Sequence, residues 1–182
     1  MFHSINFWPD TGIMHANNME MFGWWNRLRG KGKLVNRSEI NVRQFAQHMP
    51  WMIIVGGSEE QGPAMGWRYS GSRLENVFQP ASFRHPFELF WASGSRSLAN
   101  GAVDMAQILN WPFLLRFQSR VIGSGLPVML EMIGLPMMPK GPGPAHFIGA
   151  IQVCGKPLQK ENKVQLGSSI IKAALIEPQP IH

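Results

Sequence analysis

With 182 residues, 45% of them hydrophobic and 15% charged, the chain has the size of one domain or one domain with extensions. A chain of this length buries roughly 70% of its unfolded surface on folding, which excludes disorder throughout. Seventeen Lys and Arg against eleven Asp and Glu leave a net charge of +6, an excess that admits nucleic acid, anionic lipid or an acidic protein surface as partner without choosing among them. Cys154 is the single cysteine, so an intrachain disulfide and a cysteine-based zinc cluster are both excluded, and a reducing cytoplasm fits best. The opening MFHSINFWPDTGIMHA has neither a basic leader nor a long apolar run, unlike a secretory signal. The apolar stretch 126–139 falls short of the roughly 20 residues of a spanning helix, and Glu131, Gly134 and Pro136 interrupt it.

Taken in chain order, residues 1–16 are aromatic but aperiodic and read as an arm. Asn17 or Asn18 is placed to cap a helix reaching Arg29, with Met21, Trp25 and Leu28 on one face, Phe22 beside them and Gly30 as the stop. A polar, basic segment follows, then a short helical pattern over 42–48 capped by Asn41 and ended by Pro50. Residues 51–55 form a β-rich run closed by Gly56 and Gly57, and residues 66–70 a second; the loop between them predicts an antiparallel pair. Residues 71–78 resemble a helical turn, whereas QPASFRHPF is punctuated by Pro80 and Pro86. Ser95 or Ser97 is placed to cap a helix with Leu98, Ala102, Met105, Ala106 and Leu109 on one face, terminated at Asn110-Trp111-Pro112. Two strands, 113–122 and 126–138, flank the turn Gly123-Ser124-Gly125. Residues 146–154 are apolar almost throughout, as in a strand covered on both faces. Residues 164–176 fit an amphipathic helix or a strand equally.

The search for chemistry excludes more than it finds. The histidines at 3, 15, 48, 85, 146 and 182 are scattered, and none pairs at helical spacing as a metalloprotease site requires. His48 and His146 read as hydrogen-bonded structural histidines, or as single haem ligands without an attachment motif. Ile151 and Val153 imply burial for Cys154, which raises a thiol's pKa and makes it inert. A nucleophile elbow and a phosphate loop are both missing, so a catalytic role has no residues to carry it. Arg27, Arg29, Lys31, Lys33, Arg37 and Arg43 are opposed within their stretch by Glu39 alone. They fit either phosphate neutralisation in a nucleic-acid-binding protein or a solvated helix end. Met129, Met132, Met137 and Met138 are adaptable side chains that would line a ligand cavity or fill an ordinary core. Phe87, Phe90 and Trp91 fit core packing or a partner surface.

The order helix, two strands, short helices with one longer helix, then three strands resembles that of PAS domains. Local wording adds to the likeness. Trp25-x-Arg27-Leu28-Arg29-Gly30, Arg37-Ser38-Glu39-Ile40 and His48-Met49-Pro50 look like the opening of a bacterial subfamily of small single-domain PAS-like proteins. Arg68-Tyr69-Ser70-Gly71-Ser72-Arg73-Leu74, Leu135-Pro136-Met137 and Phe147-Ile148-Gly149-Ala150-Ile151 resemble its second, penultimate and last strands. One departure follows Phe78, where the subfamily has a glycine-aspartate turn and this chain has Gln79-Pro80-Ala81-Ser82. The resemblance spans about residues 18–154. It implies an α+β fold: a five-stranded antiparallel sheet of order 2-1-5-4-3, helices over one face and an N-terminal flanking helix. The chain then divides into an arm (1–16), a helical segment (17–50), a PAS-like core (51–154) and a C-terminal extension (155–182). The implied function is a non-enzymatic sensory module for a small ligand or protein partner, self-associating through the leading helix, with Met21, Phe22, Trp25 and Leu28, and the apolar arm. None of the matched motifs carries a flavin or haem residue, so the cofactor stays unassigned.

Overall fold

The computed structural model describes residues 14–29, 34–58, 62–138, 146–155, 158–159 and 161–178. Its elements are α1 (Ala16–Arg29), β1 (Met52–Ser58), β2 (Gly62–Ser70), α2 (Ser72–Phe78), α3 (Ser93–Leu109), β3 (Phe113–Arg120), β4 (Pro127–Met137), β5 (His146–Cys154) and β6 (Ser169–Leu175). Short 3₁₀ turns join them at Arg37–Glu39, Val42–Phe45, Met49–Trp51, Pro80–Arg84 and Phe87–Phe90. The strands form one antiparallel sheet of order β2-β1-β5-β4-β3-β6.

β5 lies between β1 and β4, with Ile54 opposite Ile148 and Gly134 opposite Gly149. Its continuous apolar character follows from that place, because both of its faces are covered. α2, α3 and the two aromatic 3₁₀ turns cover the inner face. There Phe90 is fully buried, with ring centroids at 5.1 Å from Trp67, 5.1 Å from Phe78, 5.0 Å from Trp91 and 5.8 Å from Phe117. Edge-to-face and tilted contacts of this kind add to area burial. Phe87, Phe90 and Trp91 are therefore core, not partner surface.

The outer face is covered by α1, joined by Val35 and Phe45. Met21, Trp24 and Trp25 pack there with Leu114, Ile133, Leu135 and Ile148. The Trp25 indole N–H donates to the Pro136 carbonyl at 2.8 Å, tying the middle of α1 to the end of β4.

Several boundaries differ from the sequence reading. β1 runs through Gly56 and Gly57 to Ser58 instead of stopping at Val55. At Gly56 a side chain would meet the His146 ring 2.8 Å away, so the glycine admits a close neighbour rather than ending the strand. α3 begins at Ser93 with Ala92 at its N-cap, without a side-chain cap. Ser95 is instead buried, its hydroxyl oxygen accepting the Ile170 N–H at 2.9 Å.

That bond belongs to the main topological addition. Part of the C-terminal extension forms β6, which makes the sheet six-stranded. β6 pairs with the edge of β3, Leu114 opposite Ala174 and Phe117 opposite Ile170. A helix over 164–176 would have left the backbone groups of that edge unpaired. Gln79, at the departure from the subfamily pattern, has φ 73° and ψ 140°. A glycine reaches positive φ without steric penalty, whereas a glutamine there is strained.

Candidate functional site

β3 and β4 read as apolar strands with one charged residue in the middle of each. Arg116 interrupts FLLRFQSR and Glu131 interrupts PVMLEMIGLPM. The hairpin register sets the two opposite one another, and the next strand sets Gln152 opposite Glu131. β6 adds Lys172 opposite Arg116. Lys172, Arg116, Glu131 and Gln152 thus make a polar row across the sheet.

The start of α1 sits on this row. Glu131 is completely buried. Its carboxylate accepts from Arg116 Nε at 2.9 Å, from the His15 backbone N–H at 2.7 Å and from Asn18 Nδ2 at 3.0 Å. The positive end of the α1 dipole faces the same carboxylate. Asn17 Nδ2 reaches Gln152 Oε1 at 3.4 Å. The sequence offers Asn17 or Asn18 as the cap; the helix instead starts at Ala16, and the Asn17 N–H donates to His15 Nδ1 at 3.3 Å. Both asparagine side chains turn to the sheet because the buried carboxylate and amide need donors.

Along its first half and middle, α1 is also held to the chain that follows. Glu20 Oε2 lies 3.2 Å from His48 Nε2 and accepts from Gln47 Nε2 at 3.3 Å. Trp24 meets Phe45 edge-on at 3.9 Å between centroids. His48 is buried in these contacts as a structural histidine. Burial, then Arg68 and Arg37, hold the His146 imidazole below its ordinary pKa. Among the described residues no group of three or more His, Cys, Asp or Glu is arranged to hold a metal ion.

Cys154 is half-buried at the end of β5. Burial first, and Glu131 second, raise its thiol pKa above the ordinary 9.0, with Arg116 opposing. Little thiolate therefore forms at pH 8. Iodoacetamide at pH 8 is expected to alkylate Cys154 at least about threefold more slowly than a free cysteine. A rate equal to that of the free amino acid would contradict this.

The structure distributes the other expected site residues. Met132 is in the inner core, Met137 is in the outer core, and Met129 and Met138 are exposed, so the four methionines do not line one cavity. Strand alternation sets Met132 on the opposite face from Met129 and Met137, and Met138 lies just past the end of β4. Met21 and Trp25 are sealed under α1, with Phe22 and Leu28 half-buried beside them. Arg29 lies 5.6 Å over the Trp25 ring, and Arg27 borders the groove between α1 and the Val42–Phe45 turn. Arg37 borders a separate hollow beside Met52, and Arg43 lies on the Val42–Phe45 turn. Lys31 and Lys33 lie outside the described residues, as does most of the expected arm.

The sequence profile of the family described as PAS domain matches residues 13–152. This chain belongs to the PAS domain family. The match takes in α1, β1 to β4 and β5 as far as Gln152, including the polar row except Lys172, whereas β6 lies beyond it. A comparison with curated proteins finds no match. PAS domains are sensory and regulatory modules, and their antiparallel sheet with flanking helices is the architecture described above. Among the described residues no helix is long and apolar enough to cross a membrane.

Proposed function

We propose that this PAS domain is a non-enzymatic sensory module whose output element is α1. The observation that carries the reading is the composition of the Glu131 site. One partner of the buried carboxylate, Arg116, belongs to the sheet, while the other two, the His15 N–H and Asn18, belong to the start of α1. A change in the sheet that shifts Glu131 is felt at once by the helix. A ligand or protein acts through this device if it binds the docked and undocked states with different affinity.

Undocking of α1 uncovers Met21 and Trp25 and fully exposes Phe22 and Leu28. These four residues then form the apolar surface through which a signalling protein or a second copy of the chain is engaged. In the docked state the same surface is used internally, which makes the two arrangements mutually exclusive.

Hydrogen exchange and sedimentation velocity on the full chain test this. Glu131→Gln retains the shape of the side chain and removes the charge. The amides of α1 are expected to exchange at least about tenfold faster in this variant than in the wild type, with those of β5 little changed. The variant is also expected to self-associate more. If α1 exchanges only together with β5 in both proteins, α1 is not an independently moving element and the reading fails.

A further inference from the structure

A second feature of the polar row lies at its Gln152 end. There a pocket of about 400 Å³ opens where the start of α1, α2 and the segment after β5 meet. Its volume is in the range of small-molecule sites. Trp51, Val77, Val153 and Leu158 supply apolar wall, and Arg73, Asn76, Gln152 and Asn162 supply polar groups. The mixture fits a ligand with a hydrocarbon body and a polar end.

Two observations point to a ligand. Gln152 is only 2% exposed, yet its Nε2 has no hydrogen-bond partner among the described residues, while its Oε1 is engaged by Asn17. A buried donor left unpaired is unfavourable by about 1–3 kcal/mol, and a turn of the Gln152 amide toward the pocket would let a ligand's acceptor relieve it. Arg73, on the exposed side of α2, has no ion-pair partner among the described residues. Lys163 donates to the Asn76 carbonyl beside it, adding positive charge to this side of α2. The described lining contains no carboxylate.

We infer that this pocket binds a small monocarboxylic acid with an apolar body. The guanidinium of Arg73 takes the carboxylate in its fork. Gln152 Nε2 donates to an acceptor on the ligand, and Trp51 with Val77 and Leu158 covers the body. Among the described lining residues Arg73 is the one cation, which matches a monoanion better than a phosphate dianion. Because Asn17 joins Gln152 to α1, an occupied pocket alters the docking of the helix. This last step rests on the sensory reading above; the binding itself does not.

The test is calorimetry on the full chain with benzoate and 4-hydroxybenzoate, against benzamide and 4-hydroxybenzamide as uncharged counterparts. At least one acid is expected to bind with Kd below about 1 mM, and its amide at least tenfold more weakly. Arg73→Gln, an exposed substitution with little bearing on folding, is expected to weaken the acid at least tenfold, and Gln152→Leu to weaken it as well. Absence of binding by both acids, amides that bind as tightly as acids, or wild-type affinity in Arg73→Gln overturns the inference. Hydrogen exchange with the bound acid separates the two readings. Binding abolished by Arg73→Gln with α1 exchange unchanged upholds the pocket and overturns its coupling to the helix.

Discussion

Replacement of Glu131 by Ala is expected to destabilise the domain by about 3–5 kcal/mol, the range for breaking a buried ion pair by removing one partner. The effect has three sources. Arg116, with 23% of its side chain exposed, loses its counter-ion. Asn18 Nδ2, in a fully buried residue, is left with only a long 3.4 Å contact to the Glu131 carbonyl, and the His15 N–H loses its acceptor. Chemical denaturation measures the change, and a loss under about 1 kcal/mol would show that solvent or local rearrangement replaces the carboxylate. A double variant, Arg116→Leu with Glu131→Leu, sharpens the test. Well-packed apolar pairs often equal or exceed a buried ion pair in stability, so this variant is expected to regain most of the loss. It offers the start of α1 no acceptor, however, so exchange in α1 should remain fast. Stability and helix docking would then be separated, which distinguishes a positioning role for Glu131 from a purely structural one.

Gly149→Ala is expected to prevent stable folding altogether. A Cβ at this position would stand 1.8 Å from the Ile133 carbonyl oxygen and 2.9 Å from its carbonyl carbon. Both are backbone atoms of β4 at the centre of the sheet, so the clash is not relieved by a side chain turning away. The register Ile133 opposite Ala150 and Gly134 opposite Gly149 must shift or the two strands must part. Gly101→Ala in α3 is the matched control, since nothing lies within 4 Å of the added methyl. It is expected to be neutral or to stabilise by up to about 1 kcal/mol through helix propensity. Circular dichroism melts of the two variants give the comparison. A Gly149→Ala protein that melts near the wild type would mean that β4 and β5 do not approach as closely as described.

The Glu131 site was partly written in the letters. Arg116, the arginine inside the apolar run of FLLRFQSR, and the lone glutamate of PVMLEMIGLPM, on either side of the turn Gly123-Ser124-Gly125, are set opposite one another by a hairpin centred on that turn. Taken alone, the glutamate reads as an obstacle to membrane insertion, and only the strand register reveals the pairing. Asn18 was legible as a polar residue at a helix start, but a cap and a donor to a distant strand look alike in sequence. Its partner is more than a hundred residues away, and no local pattern encodes that contact.

Local regularities were enough for the strand or helix character of most segments, the two-sided burial of β5 and the PAS-like order of elements, because hydrophobic period and turn residues act over a few neighbours. The role of residues 164–176 needed the third dimension. Ile170, Ile171 and the alanines after them suit either a helix or a strand, and the unpaired edge of β3 selects the strand. Which side each methionine of β4 faces, and whether Met21 and Trp25 meet a partner or their own sheet, likewise depended on how distant segments pack. Such choices are set by which surfaces are left to cover once the sheet has formed, and that sum runs over the whole chain.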